Sequence, residues 1–323
     1  ATGVPAGEGG DGEEGEGATE GEEGEEVTRT LDTVEGRAPV ALATTLDRNV
    51  QTAVEQALDG VTTPAAVVVT DPEGNVRAAA SRPLSEDLNR ALGGAYPPGS
   101  TFKVVTADAL LANGMTPDTT VQCDATTNAG GRSFRNFEGG QLGAIPFSQA
   151  FAESCNTAMI TSTAPVDQAG LTAAAERFGF NADYSVGLNT VGGSYPEPVD
   201  ATEKAAASIG QGRVTASPLH MATVAAAVTD GSWEAPTLLV DPPSVDEEAS
   251  AGEGDGEAAG TTTATDAAGG TAPETAPTTA AASASTETTA AGDGDAARPE
   301  PTTIDPANRT TLAELMRLVV TNG

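Results

Sequence analysis

The sequence predicts an α+β domain, a helical part with a partial antiparallel sheet, carried together with long disordered segments. Three observations predict it. Runs at 47–60, 101–114, 167–179 and 217–231 have helical spacing with start and stop signals at their ends. Two short runs, 65–70 and 76–81, bracket Asp71-Pro72-Glu73-Gly74-Asn75, which is the pattern of a β-hairpin. Two tracts, 1–36 and 242–303, are rich in Gly, Glu, Ala and Thr and show no periodicity.

Taken in order, residues 1–36 read as an acidic disordered segment or linker, with almost no large apolar side chain before Val27. A domain then runs over 37–241. Asp47 is an N-cap, Val50, Val54 and Leu58 share one helical face, and Gly60 stops the helix. After the hairpin, 101–112 is apolar or small on nearly every side and Asn113-Gly114 ends it, so a buried helix is expected with Ser100 near its N-cap. Residues 116–143 read as loop, broken by Asn128 to Gly131 and by Gly139-Gly140. Helical patterns resume at 147–152 and 157–163, and Asp167 opens an amphipathic helix closed by Gly179. Ser208-Ile209-Gly210-Gln211-Gly212 is a glycine-flanked loop. Ser217 is an N-cap with Pro218 at the first helical position, and Gly231 ends that helix. Residues 236–240 read as a short strand. The tract 242–303 reads as a disordered insertion, because a compact domain does not hold a structureless loop of that length. Residues 304–323 return to the domain, with a last helix over 310–320.

Composition narrows the function classes. The formal net charge is −32, but residues 1–26 hold ten acids and no base, and 245–300 hold twelve acids and only Arg298. Removing those tracts leaves 25 acids against 14 bases. The acidity therefore belongs mainly to polar tracts, and nothing suggests a nucleic-acid partner, which needs clustered Lys and Arg. Cys123 and Cys155, with His220 as the single histidine, are too few for a structural zinc site, so no metal or other cofactor is expected. Cys155 reads first as a small buried hydrophobe; a bond to Cys123 is the alternative, and the sequence does not decide between them. No apolar run approaches the ~18–20 residues that span a bilayer. If the protein is exported, its anchor is expected upstream of Ala1.

One stretch reads as chemistry. Lysine occurs only at 103 and 204, and Lys103 lies three residues after Ser100, on the same face of the first turn of an apolar helix. Burial lowers a lysine towards neutral base function, and the free N–H groups of a first turn favour developing negative charge; a hydroxyl in that setting is an activated nucleophile. About fifty residues on, Ser154-Cys155-Asn156 joins two helical runs. Taken alone, Ser154 and Asn156 read as caps or turn formers, Glu153 as a solvated helix residue and His220 as a packing histidine. Ser100-x-x-Lys103 followed by Ser154-x-Asn156 is the opening of a penicillin-recognising serine-enzyme signature.

The match extends past the motifs. Thr44-Thr45-Leu46-Asp47, Asn89-Arg90-Ala91-Leu92 and the phrases at 96–105, 151–157 and 210–221 resemble the transpeptidase domain of class B penicillin-binding proteins. The resemblance covers roughly 40–240 and 304–323, and it implies the β-lactamase-like α+β fold. It also implies roles. Ser100 would attack the penultimate D-Ala carbonyl of a D-Ala-D-Ala stem peptide, and Lys103 would take its proton. Ser154 would relay a proton to the leaving D-Ala, and Asn156 would bind the substrate amide and Lys103. Peptidoglycan stem peptides and β-lactam antibiotics are the implied partners, with divisome or elongasome proteins beside them. The implied location is the outer face of the bacterial cytoplasmic membrane. A serine β-lactamase and a non-catalytic sensing or scaffold domain are the alternatives. The family's third motif, Lys/His-Thr/Ser-Gly, is absent from these 323 residues. By the resemblance the chain is truncated before the strand that carries it, and the chain as given is expected to have negligible transpeptidase activity.

Overall fold

In the computed structural model, residues 41–83, 89–240 and 298–323 are described. After a short strand β1 (Ala43–Thr44), Asp47 opens helix α1 (Arg48–Ala57): its Oδ1 accepts from Asn49 N (2.8 Å) and Val50 N (3.1 Å). Val54 and, just past the helix, Leu58 are buried. β2 (Ala65–Thr70) and β3 (Val76–Arg82) form the expected antiparallel hairpin, its turn closed by Asn75 N donating to Asp71 Oδ1 (2.8 Å). Helix α2 (Arg90–Gly93) is capped by Asn89, and α3 (Lys103–Ala112) follows.

The stretch expected as loop instead contains strands: β4 (Thr120–Cys123), β5 (Thr126–Ala129) and β6 (Arg132–Arg135), with β7 (Gly143–Pro146) after them. β5 and β6 are a hairpin whose turn residues Gly130 and Gly131 have φ of +57° and +86°, a conformation that glycine adopts without a Cβ clash. β4 pairs with β7, and Val121, Cys123 and Ile145 point inward while the residues between them are exposed or half-buried. The breakers in this stretch therefore mark tight turns between short strands.

Helices α4 (Phe147–Ala152), α5 (Asn156–Ser162) and α6 (Gln168–Arg177) come next, with Gly170 N donating to Asp167 Oδ1 (2.7 Å) at the start of the last. Then follow β8 (Gly193–Ser194), α7 (Ala201–Ala207), β9 (Thr215–Ala216) and α8 (Pro218–Asp230). Ser217 Oγ accepts from His220 N (3.1 Å), and Gly231 ends α8 at φ +101°. β10 (Ser232–Trp233) and β11 (Leu239–Val240) precede β12 (Thr302–Thr303) and the last helix α9 (Pro306–Asn322).

The expected disordered segments 1–36 and 242–297 lie outside the described residues. The end of the expected insertion, 298–303, is described and attached. Arg298 Nη2 donates to Ala235 O (2.5 Å) and sits 3.5 Å from Glu234 Oε2, while β12 pairs antiparallel with β10. The last helix begins earlier than expected, because Asp305 Oδ1 accepts from Ala307 N (2.9 Å) and Pro306 fills the first helical position.

The core is built around α3, whose residues 103–110 are all buried, with α5, α6 and α9 packed against it. Phe102, Phe147, Phe178, Trp233, Leu312 and Leu315 belong to the same apolar cluster. Asp108, fully buried in α3, ties three helices together. Its Oδ2 accepts from Arg177 Nε (2.8 Å) and Nη2 (2.5 Å), and its Oδ1 from Asn308 Nδ2 (3.1 Å). A smaller cluster, including Val76, Leu92, Leu219 and Leu238, joins the β2–β3 hairpin to α2 and α8. Among the described residues, no helix is long and apolar enough to cross a membrane.

Candidate active site

Pro97 and Pro98 cannot continue a ladder or a helix interior, and the chain leaves them in a 3-10 turn, Gly99–Phe102, that runs directly into α3. Ser100 lies in this turn and does not cap the helix. It stands two residues before Phe102, the N-cap of α3, and so near that cap as expected; the turn has no side-chain cap, and the neighbouring Thr101 Oγ1 donates to Pro98 O (2.7 Å). Ser100 is exposed, whereas Phe102 is buried, stacked on Tyr195 (5.7 Å) and edge-on to Phe180 (5.1 Å). The buried ring anchors the turn and leaves the serine at its surface.

Lys103, the first residue of α3, is 2% exposed. Its ammonium donates to Ser154 O (2.7 Å), Ser154 Oγ (2.9 Å) and Asn156 Oδ1 (2.7 Å), which fills its three donor positions. Burial lowers its pKa from 10.5 to about 8. Its acceptors are neutral, so they do not hold the proton as a carboxylate would.

Those acceptors come from a break between helices. α4 ends at Ala152, Cys155 N returns to Ala150 O (2.9 Å), and Ser154 takes φ +54° before α5 begins at Asn156. A non-glycine residue in that region is strained, and the strain here turns both the carbonyl and the hydroxyl of Ser154 towards one lysine. Asn156 is held in turn, its Nδ2 donating to Arg135 O at the end of β6 (3.2 Å). Between them, Cys155 is disulfide-bonded to Cys123 at the end of β4, with Cα atoms 6.1 Å apart and both residues buried. The alternative reading of the cysteines is therefore the one observed.

Sequence reasoning missed Asn136. It is buried, its Nδ2 donates to Asp124 O and Gly140 O (both 2.8 Å), and its Oδ1 accepts from Thr157 N (3.0 Å). It fastens the loop after β6 to the start of α5, and no local motif marks it. The structure thus brings Lys103, Ser154 and Asn156 together, with Ser100 one turn before the lysine. His220 is elsewhere in role: fully buried, 3.2 Å from Tyr184 OH through Nδ1, edge-on to Phe180 and pushed down to about 3 by burial, so it is a neutral packing residue. Glu153 is exposed. Among the described residues, no group of three or more His, Cys, Asp or Glu is arranged to hold a metal ion. The arrangement places an exposed hydroxyl one turn before a desolvated amine that is hydrogen-bonded to a second hydroxyl, Ser154 Oγ.

Comparison with known proteins is consistent with that chemistry. A family model described as the penicillin binding protein transpeptidase domain matches residues 65–266. Peptidoglycan D,D-transpeptidase PbpA of Mycolicibacterium smegmatis is 36% identical over 164 residues, covering 49% of this chain and 33% of that relative. The chain thus spans about a third of the length of the curated relatives it matches. The structure of penicillin-binding protein A from Mycobacterium tuberculosis in its penicillin G acyl-enzyme complex superposes with a TM-score of 0.57 at 27% identity, covering 61% of this chain and 54% of that one. Penicillin binding protein 3 from Mycobacterium tuberculosis, complexed with aztreonam, shares the fold alone, at 20% identity and a TM-score of 0.62 over 87% of this chain and 58% of that one.

Proposed function

We propose, from the premise that the chain belongs to the penicillin-binding protein transpeptidase family, that it carries the acylation half of a serine D,D-transpeptidase. The observation that carries the reading is the triple hold of Ser154 and Asn156 on Lys103 Nζ, one turn from an exposed serine. In the reaction, neutral Lys103 accepts the Ser100 hydroxyl proton as Ser100 Oγ bonds to the carbonyl carbon of the penultimate D-Ala of a stem peptide. The backbone N–H of Ser100 donates to the developing oxyanion. The C–N bond to the terminal D-Ala then breaks, and the departing amine takes a proton. Of the three partners of Lys103, only Ser154 Oγ can also donate, so it is the route by which that proton reaches the leaving group. Asn156 holds the lysine through Oδ1 and offers Nδ2 to the substrate amide. The acyl-enzyme is released to an acceptor amine of a second stem peptide, which completes a peptidoglycan cross-link.

A β-lactam takes the same path to the acyl-enzyme, except that its opened ring nitrogen stays attached. The reading includes a position outside the cytoplasm at the membrane and partners in the division or elongation machinery; PbpA relatives named as peptidoglycan transpeptidases support the substrate class. The test is covalent labelling of the full-length protein by a fluorescent penicillin. Wild type is expected to carry a stable adduct and Ser100→Ala none; equal labelling of the two proteins refutes the assignment.

A further inference from the structure

Ser208-Ile209-Gly210-Gln211-Gly212 stands out in the sequence, and no step of the acyl transfer uses it. In the fold it is packed directly behind the segment that carries Ser100. Gly99 N donates to Gly210 O (2.8 Å), and buried Thr106 Oγ1 donates to Ser208 O (2.8 Å). Tyr96 N and O pair with Ala216 O and N (3.0 and 2.9 Å). These attachments bracket the 3-10 turn of Ser100 on both sides. At their centre the two glycines meet backbone to backbone. Gly210 has φ +67°; a Cβ there would overlap Gly99 O and stand 2.7 Å from Phe102 Cβ and 2.9 Å from Gly99 C. None of these atoms is the end of a flexible side chain, so the turn itself would have to move. Gly212 provides the contrast: its φ is +74°, but a Cβ there would meet only Ala206 Cβ, at 3.4 Å. Lys103 is held from different elements, by Ser154 and Asn156.

We infer that Gly210 is a positioning residue for the nucleophile: its bare Cα is the stop against which the Gly99 carbonyl rests, and it sets where Ser100 stands relative to Lys103. The inference rests on the reading of Ser100 as the acylated serine. A methyl group at 210 displaces Gly99 and Ser100 but leaves the partners of Lys103 in place. The loss then falls on the chemical step and not on the titration of the lysine.

The experiment measures acylation of the full-length protein by a fluorescent penicillin: the rate at saturation, the half-saturating concentration, the pH midpoint and the melting temperature. Gly210→Ala is expected to lower the saturated rate by roughly a hundredfold, the scale of a 1 Å misplacement of reacting groups, with the pH midpoint unchanged. Gly212→Ala carries the same left-handed backbone cost and is expected to acylate like wild type. Equal rates for the two variants, or a shifted pH midpoint in Gly210→Ala, overturn the inference. Should Gly210→Ala fail to fold, Thr106→Val removes another attachment of the same loop; it is expected to slow acylation and Thr106→Ser to restore it, and wild-type rates in Thr106→Val overturn the inference. Labelling of Ser100→Ala overturns the nucleophile reading and the inference with it. Labelling confined to Ser100, with equal rates in the two glycine variants, overturns the inference alone.

Discussion

On the proposed reading Lys103 is the acylation base, and its burial then sets how the rate depends on pH. A pKa of about 8 leaves about a tenth of the lysine neutral at pH 7 and about nine-tenths at pH 9, so the acylation rate should rise roughly tenfold across that range with a midpoint near pH 8. An unperturbed lysine at 10.5 would supply roughly 300-fold less base at pH 7. The same shift has a stability consequence. The folded pKa lies below the unfolded one, so between pH 8 and 10.5 the unfolded chain binds the proton and the folded chain releases it. Stability therefore rises with pH through that window, by about 3 kcal/mol from this 2%-exposed group. The assay pairs stopped-flow penicillin acylation with urea unfolding from pH 7 to 10.5, on wild type, Lys103→Arg and Lys103→Met. Both variants should lose the pH-dependent acylation, and Lys103→Met should lose this part of the pH-dependent gain in stability. A flat wild-type rate from pH 7 to 9, or a tenfold rise that persists in Lys103→Arg, would refute the reasoning.

Two further substitutions test how the site is framed. Replacing Cys123 and Cys155 by alanine opens a bond between residues 32 apart in sequence, which is worth about 3–4 kcal/mol by loop closure, and it frees the residue between Ser154 and Asn156. Melting temperature and acylation rate should fall together; an unchanged melting temperature contradicts the structural role. Asp108→Ala removes the buried partner of Arg177 and Asn308 and should cost about 3 kcal/mol, at the lower end for a broken buried pair because Arg177 is 29% exposed. Urea unfolding reads this directly, and an unchanged midpoint would mean that α3, α6 and α9 are held by apolar packing alone.

What was legible in the sequence follows from which forces are local. Asp47, Asp167 and Ser217 act within three residues of themselves, so their helices are readable from the chain and appear where expected. The helix expected from residue 101 starts at Lys103, because the preceding prolines and Thr101 close a 3-10 turn first, while Ser100 stays near the cap as expected. β4 to β6 were missed because strands of four residues between glycine turns give alternation too little length to register. β10 and β12 pair across the acidic tract, and such a partner leaves no trace in either segment alone. The site divides the same way. The spacings of Ser100, Lys103, Ser154 and Asn156 are chain properties. The grip of Asn136 on Thr157, the bond between Cys123 and Cys155, and the contact of Gly210 with Gly99 are properties of the folded backbone.

The most direct measurement of the central claim is mass spectrometry of the full-length protein after reaction with penicillin, followed by mapping of the modified peptide. The account expects one penicilloyl adduct, on Ser100, lost in Ser100→Ala. An adduct on Ser154 or any other residue, or no covalent adduct at all, would contradict it.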